Sequence, residues 1–166
     1  MLADPRATAS QADYRAQFDF LIRIRDKLSE VHRSIGKIRD VHKQITSLEN
    51  RLEGQATFEP VLTAAEKLKE ELTSVEEALY QTKLQSPQDP LNFPIRLNDK
   101  LAGLLGLAGI GDYPPTESLE KVRQELSEAI DEQMRAFRGL LDDRLAHFNR
   151  LARDHEVDAV IVFADD

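Results

Sequence analysis

The chain has 166 residues, 41% hydrophobic, 31% charged and 6% aromatic, with no Cys and no Trp, a balance that suits one soluble, largely helical domain around a single core. Without Cys there can be no disulfides, thiolate zinc sites or thiol nucleophiles, although either redox compartment stays open. The formal net charge of -8 repels phosphate backbones and anionic headgroups, so no nucleic-acid or membrane-surface role is expected.

The opening Met1-Leu2-Ala3-Asp4-Pro5-Arg6 lacks the basic head and apolar core of a signal peptide, so the chain is expected to start as a mature or excised piece. From Tyr14 an apolar stripe runs through Phe18, Leu21, Ile24, Leu28, Val31, Ile35, Ile38, Val41, Ile45, Leu48 and Leu52, recurring every three or four residues. That period predicts one long helix over about 9–53, capped by Thr8 with Gln11 or by Ser10 and stopped at Gly54. A helix of this length cannot bury its seam against itself, so the rest of the chain or a partner must face it.

Phe58, Val61, Leu62, Ala65, Leu68, Leu72, Val75 and Leu79 carry a second stripe, and Pro60 suits a first turn, predicting a helix over about 58–83. Pro87, Pro90 and Pro94 break the next stretch, because each lacks an amide donor and restrains its predecessor; residues 85–93 are expected to be a loop. A short third helix, about 94–108, carries Ile95, Leu97, Leu101, Leu104 and Leu105. Its Gly103, Gly106 and Gly109 lower helix propensity and are expected to permit close helix approach. The longest apolar run, Leu101–Ile110, is about half of the ~20 residues a membrane span needs, so no membrane insertion is expected.

Thr116 is expected to cap a final long helix, about 116–156, whose stripe is Leu119, Val122, Leu126, Ile130, Met134, Phe137, Leu141, Leu145, Phe148 and Ala152. The β-branched stretch after Glu156 predicts an extended tail over 157–166, lying on the bundle. At 1.5 Å per residue the outer helices span ~60 Å each and the inner pair ~37 and ~22 Å. The expected fold is therefore all-α: an elongated up-down bundle of three struts, the middle one broken into two helices, forming one domain over 1–166.

Basic residues on the first helix (Arg15, Arg23, Lys27, Arg39 among them) can meet Glu66, Glu70, Glu71, Glu76 and Glu77 of the second. Flank pairing between neighbouring helices is the simpler reading of that face, and docking of an acidic partner the sharper one. Glu70-Glu71 and Glu76-Glu77 otherwise look like solvated faces. The Glu-x-x-His pairs of di-iron bundles are absent before His32, His42, His147 and His155. Asp143 and His147, spaced i,i+4, could hold one surface cation, though a solvated pair is the plainer reading. No nucleophile elbow or phosphate-cradling glycine loop occurs, so no catalytic, cofactor or metal residue is assigned. The Phe93-Pro94 break is the one corner where recognition could concentrate, with Phe93, Arg96, Asn98 and Asp99 expected to be buried or to lock the loop by bonding free backbone groups.

Four stretches resemble a known family: Asp4–Asp13; Gln17–Leu21 with Arg25–Leu28; Phe93-Pro94-Ile95-Arg96-Leu97-Asn98-Asp99-Lys100-Leu101; and Val157–Val162. Together they are similar to the C-terminal helical region of large bacterial BNR-repeat, or sortilin-like, glycosyl hydrolases, across nearly the whole chain. The resemblance implies an accessory domain excised from a secreted or periplasmic parent whose β-propeller precedes it. Its expected partners are that propeller or another protein. The Ser-x-Asp-x-Gly-x-Thr-Trp box of the propeller is missing here, so no glycosidase residue carries over. A homodimeric coiled-coil spacer is the alternative, followed by a metal-binding or hydrolase domain.

Overall fold

A computed structural model describes residues 9–84, 86 and 88–163. Among them the chain forms α1 (Gln11–Leu52), α2 (Glu59–Leu79), α3 (Leu97–Ala108), α4 (Glu117–Gly139) and α5 (Ala146–Asp154), with no strand. A π-helical segment, Leu140–Leu145, joins α4 to α5, so the last strut runs unbroken for about 57 Å against about 63 Å for α1.

The three struts lie side by side. Contacts join α1 to α2 and α3, α4 to α3, and α2 to both α4 and α5. Cross-strut pairs give the directions: Lys69 Nζ meets Glu49 Oε2 at 2.6 Å and Arg39 Nε meets Glu76 Oε1 at 2.7 Å, so α2 descends beside α1. Arg23 pairs with Glu120, and Lys27 Nζ with Asp131 at 2.7 Å, so α4 climbs again in parallel with α1. Between them α2 and α3 make one descending strut broken at residues 80–96.

The seam is dry and continuous. Phe20, Ile24, Ile38, Ile45, Leu72, Leu79, Leu101, Ile130, Met134 and Phe148 are each at most 1% exposed, and they belong to one cluster. The stripe fails at its first turns, where Phe18 is 55% exposed and Phe20, two residues on, is fully buried. There Gln17 faces α3, donating from Nε2 to the carbonyls of Ala108 and Gly111. That contact turns the Phe20 side inward and Phe18 outward.

Several ends differ from expectation for local reasons. Ser10 caps α1 in a reciprocal box with Asp13, its Oγ accepting the Asp13 N–H and Asp13 Oδ2 accepting the Ser10 N–H; Thr8 lies outside the described residues. Gly54 takes φ +78 just past the helix, as a left-handed stop requires. A 3-10 turn, Ala56–Phe58, precedes α2. The second helix ends at Leu79 rather than near Lys83, because Tyr80 turns extended (φ -133, ψ 141). The third starts at Leu97 rather than Pro94, with Arg96 extended before it. Gly103 and Gly106 give no close approach: a methyl group on either would meet nothing within 4 Å.

Phe137 before the π segment, Leu145 at its end and Phe148 beyond it are all buried, so the core face of the strut continues through the wide turn. At the far end the strut closes in a Schellman arrangement, with the Val157 N–H donating to Ala152 O and the Glu156 N–H to Arg153 O. Glu156 therefore sits at φ 59, a left-handed conformation that costs a residue with a Cβ about 1 kcal/mol. This reversal turns the tail, residues 157–163, back onto the bundle.

Candidate functional site

The corner between α2 and α3 is locked by a residue the sequence pattern does not single out. Gln81, 4% exposed, donates from Nε2 to the carbonyl of Pro94 at 2.8 Å and accepts the Lys83 N–H on Oε1 at 3.3 Å, tying both sides of the break together. Asp89 stitches the loop's tip, accepting from the Ser86 N–H at 2.6 Å and from Ser86 Oγ at 3.1 Å. A 3-10 turn, Asp89–Leu91, grows from that anchor. Pro87 lies outside the described residues.

Of the four residues expected to lock or line this corner, Asn98 alone is buried, at 4% exposure. Arg96 is exposed, Phe93 and Asp99 are half-buried, and Arg96 makes no side-chain cap on α3. The expectation of a buried Arg96 is corrected: with Pro94, Ile95 and Arg96 extended ahead of the helix, the guanidinium stands clear of the core and solvent hydrates it. Asn98 Oδ1 has no hydrogen-bond partner among the described residues.

Asp143 and His147 are both exposed, Asp143 within the π segment and His147 in α5. Among the described residues no three His, Asp or Glu side chains gather as a metal site. Neighbouring Arg144 reaches α2 instead, its Nε 3.3 Å from Glu71 Oε2, near enough for charge attraction without hydrogen-bond alignment.

Charge pairing follows neighbours rather than a single acidic helix. Arg39 reaches α2 as expected, but Arg23 and Lys27 go to α4. Glu76 is no solvated face: it is 8% exposed, held by Arg39, whose guanidinium also lies 5.2 Å from the Tyr80 ring centroid. Burial alone would lower the Lys27 ammonium, but the hydrogen bonds it donates to Asp131 and Glu30 and the charges of those carboxylates outweigh it and hold the pKa above its ordinary value. Desolvation pushes His42 below the ordinary imidazole value, aided by the Lys69 charge against Glu76 and Glu49; its Nε2 lies 3.3 Å from Thr73 Oγ1.

The most developed recognition geometry lies at the tail. Asn149 Nδ2 donates to the Val160 carbonyl and Asn149 Oδ1 accepts the Val160 N–H, each at 2.8 Å. Gln44 does the same to Ile161, at 2.7 and 2.9 Å. Val160 is 5% exposed, seated between α1 and α5, beside an open recess of about 480 Å³ lined by Asp40, Lys43, Gln44 and Arg51. The β-branched composition pointed to an extended tail; nothing local in the sequence pointed to Gln44 or Asn149, which are 105 residues apart.

No helix among the described residues is long and apolar enough to cross a membrane. No protein-family model, curated protein or solved structure matches the chain. What is established is the class: an all-α helical bundle.

Proposed function

We propose that this chain is a non-catalytic helical accessory module that supports, spaces or docks a neighbouring domain. The family resemblance of its sequence makes that neighbour a secreted or periplasmic BNR-repeat β-propeller. The observation that carries the reading is the end of the rod where α1 begins and α3 finishes. Phe18 (55% exposed), Leu107 (57%), Ile110 (73%) and Tyr113 (69%) stand in solvent there, on a bundle whose interior is otherwise closed. Leu91, Ile161 and Phe163 are exposed elsewhere, but these four lie at one end of a stiff scaffold and suit a protein contact. Light scattering of the chain mixed with the propeller encoded upstream tests this. A complex of summed mass that Ile110→Lys and Tyr113→Lys abolish is expected; separate, folded species with no contact overturn it.

The same end supports a homodimeric spacer as the second reading. α1 starts at Gln11 but reaches its α4 partner Glu120 only at Arg23, and in the turns before it Gln17 bonds the end of α3 and the turn that follows. A single monomer mass in equilibrium sedimentation at high concentration would remove it.

A further inference from the structure

Gln44 and Asn149 hold the tail as a receptor holds a peptide. Each side-chain amide satisfies both backbone groups of one extended residue, Asn149 on Val160 and Gln44 on Ile161. A primary amide is suited to this because it offers a donor and an acceptor side by side. Val160 alone among the described tail residues is buried, while Ile161 (57%) and Phe163 (68%) face solvent. Four backbone bonds and the buried Val160, with Val157 and Val162 packed half-buried on either side, define what the groove takes: a short extended segment with a valine at its centre.

The segment is delivered by a strained hinge. Glu156 occupies φ 59, and the turn it makes is what folds residues 157–163 back onto their own α1 and α5. Straightening the hinge would relieve that strain and carry the tail away from its own groove. Short hinges under strain favour exchange of the element they carry.

We propose that two copies of this chain exchange their tails, residues 157–163 of each seating in the groove between α1 and α5 of the other. A second copy brings the identical segment, so every contact of the closed monomer is recreated, and reciprocal exchange closes with two-fold symmetry and leaves neither groove empty. A tail on a short connection meets its own groove at an effective concentration of about 1 mM. The closed monomer thus prevails at micromolar concentration, and exchange takes over near that value or when closure is blocked. This proposal stands apart from the accessory-module reading, which concerns the opposite end of the rod, and either can fail without the other.

Two hinge variants of the full chain test it by sedimentation. Glu156→Pro confines φ to about -65° and forbids the reversal, and is expected to sediment at twice the monomer mass with Val160 and Ile161 amides as slow to exchange as in the parent. Glu156→Gly relieves the left-handed strain in the closed form and is expected to raise the dimer dissociation constant about thirtyfold, a factor of about five for each of the two hinges. Should the proline variant lose its helical circular dichroism, a complementary pair decides. A Gln44→Ala/Asn149→Ala chain, with tail but no clamps, is mixed with a Val160→Asp chain, with clamps but no fitting tail. A one-to-one heterodimer is expected where each alone is monomeric. A folded, monomeric Glu156→Pro chain with freely exchanging Val160 and Ile161 amides overturns the proposal, as does a folded complementary mixture that stays monomeric near 1 mM.

Discussion

The two halves of the descending strut make an instructive pair. α2 carries six acidic residues across Glu59–Leu79 and no glycine, yet it buries Val61, Ala65, Leu68, Leu72, Val75 and Leu79 against α1, α4 and α5. α3 is the more apolar sequence, but it is shorter, spends two exposed positions on Gly103 and Gly106, and leaves Leu107 in solvent. Higher apolar content did not bury more of α3: one residue in three is buried in each half. In α2 the buried residues recur on the side that faces α1, α4 and α5, whereas in α3 the leucines wrap partly around the helix.

The comparison is broken most directly at the core. Phe148, 1% exposed on α5 where that helix meets α2, should lose about 3–5 kcal/mol on Phe148→Ala, whereas Ile110→Ser just past α3 should stay within about 0.5 kcal/mol. Equal urea midpoints for the two variants would erase the distinction between the ends.

Gln81→Ala probes the joint itself. It leaves the Pro94 carbonyl without its donor, a loss of about 1–2 kcal/mol, and amide exchange should quicken in α3 while α2 and α5 keep their protection. Uniform quickening would mean that the halves unfold as one unit. Gly103→Ala and Gly106→Ala should each stabilise by just under about 1 kcal/mol, since the added methyl meets open space and the helix gains propensity; a lower melting temperature would show that α3 needs those glycines.

The smallest effect belongs to α2's side. His42 has a folded pKa below its ordinary 6.5, so the unfolded chain binds the proton more readily and stability falls as pH drops from 6.5 through the folded value. Above 6.5 both states are neutral and the contribution is flat. His42→Gln should remove that acid-side slope from urea midpoints measured between about pH 7.5 and 5; an unchanged slope would place the titrating group elsewhere.

Much of the fold was legible because helix-forming residues announce themselves by period. The stop at Gly54 and the cap at Thr116 needed only local chemistry, and both appear in the structure. The candidate site was far less legible. Arg96 and Asn98 stand two residues apart at the start of α3, and composition gave no means to tell that one would be solvated and the other buried. Gln44, Gln81 and Asn149 were invisible for the same reason: a side-chain amide looks identical in sequence whether it meets water or a distant backbone.

What the sequence determined by itself was the helical class, the three-strut arithmetic and the extended tail, since each is set by spacing, proline and β-branching within a few residues. Only the tertiary structure decided which face of α1 turns inward at Phe20, where the last strut takes a π turn, and what the tail would grip. Those outcomes depend on residues brought together from opposite ends of the chain, where the winner is set by which neighbour leaves no polar group unpaired and no apolar side chain in water.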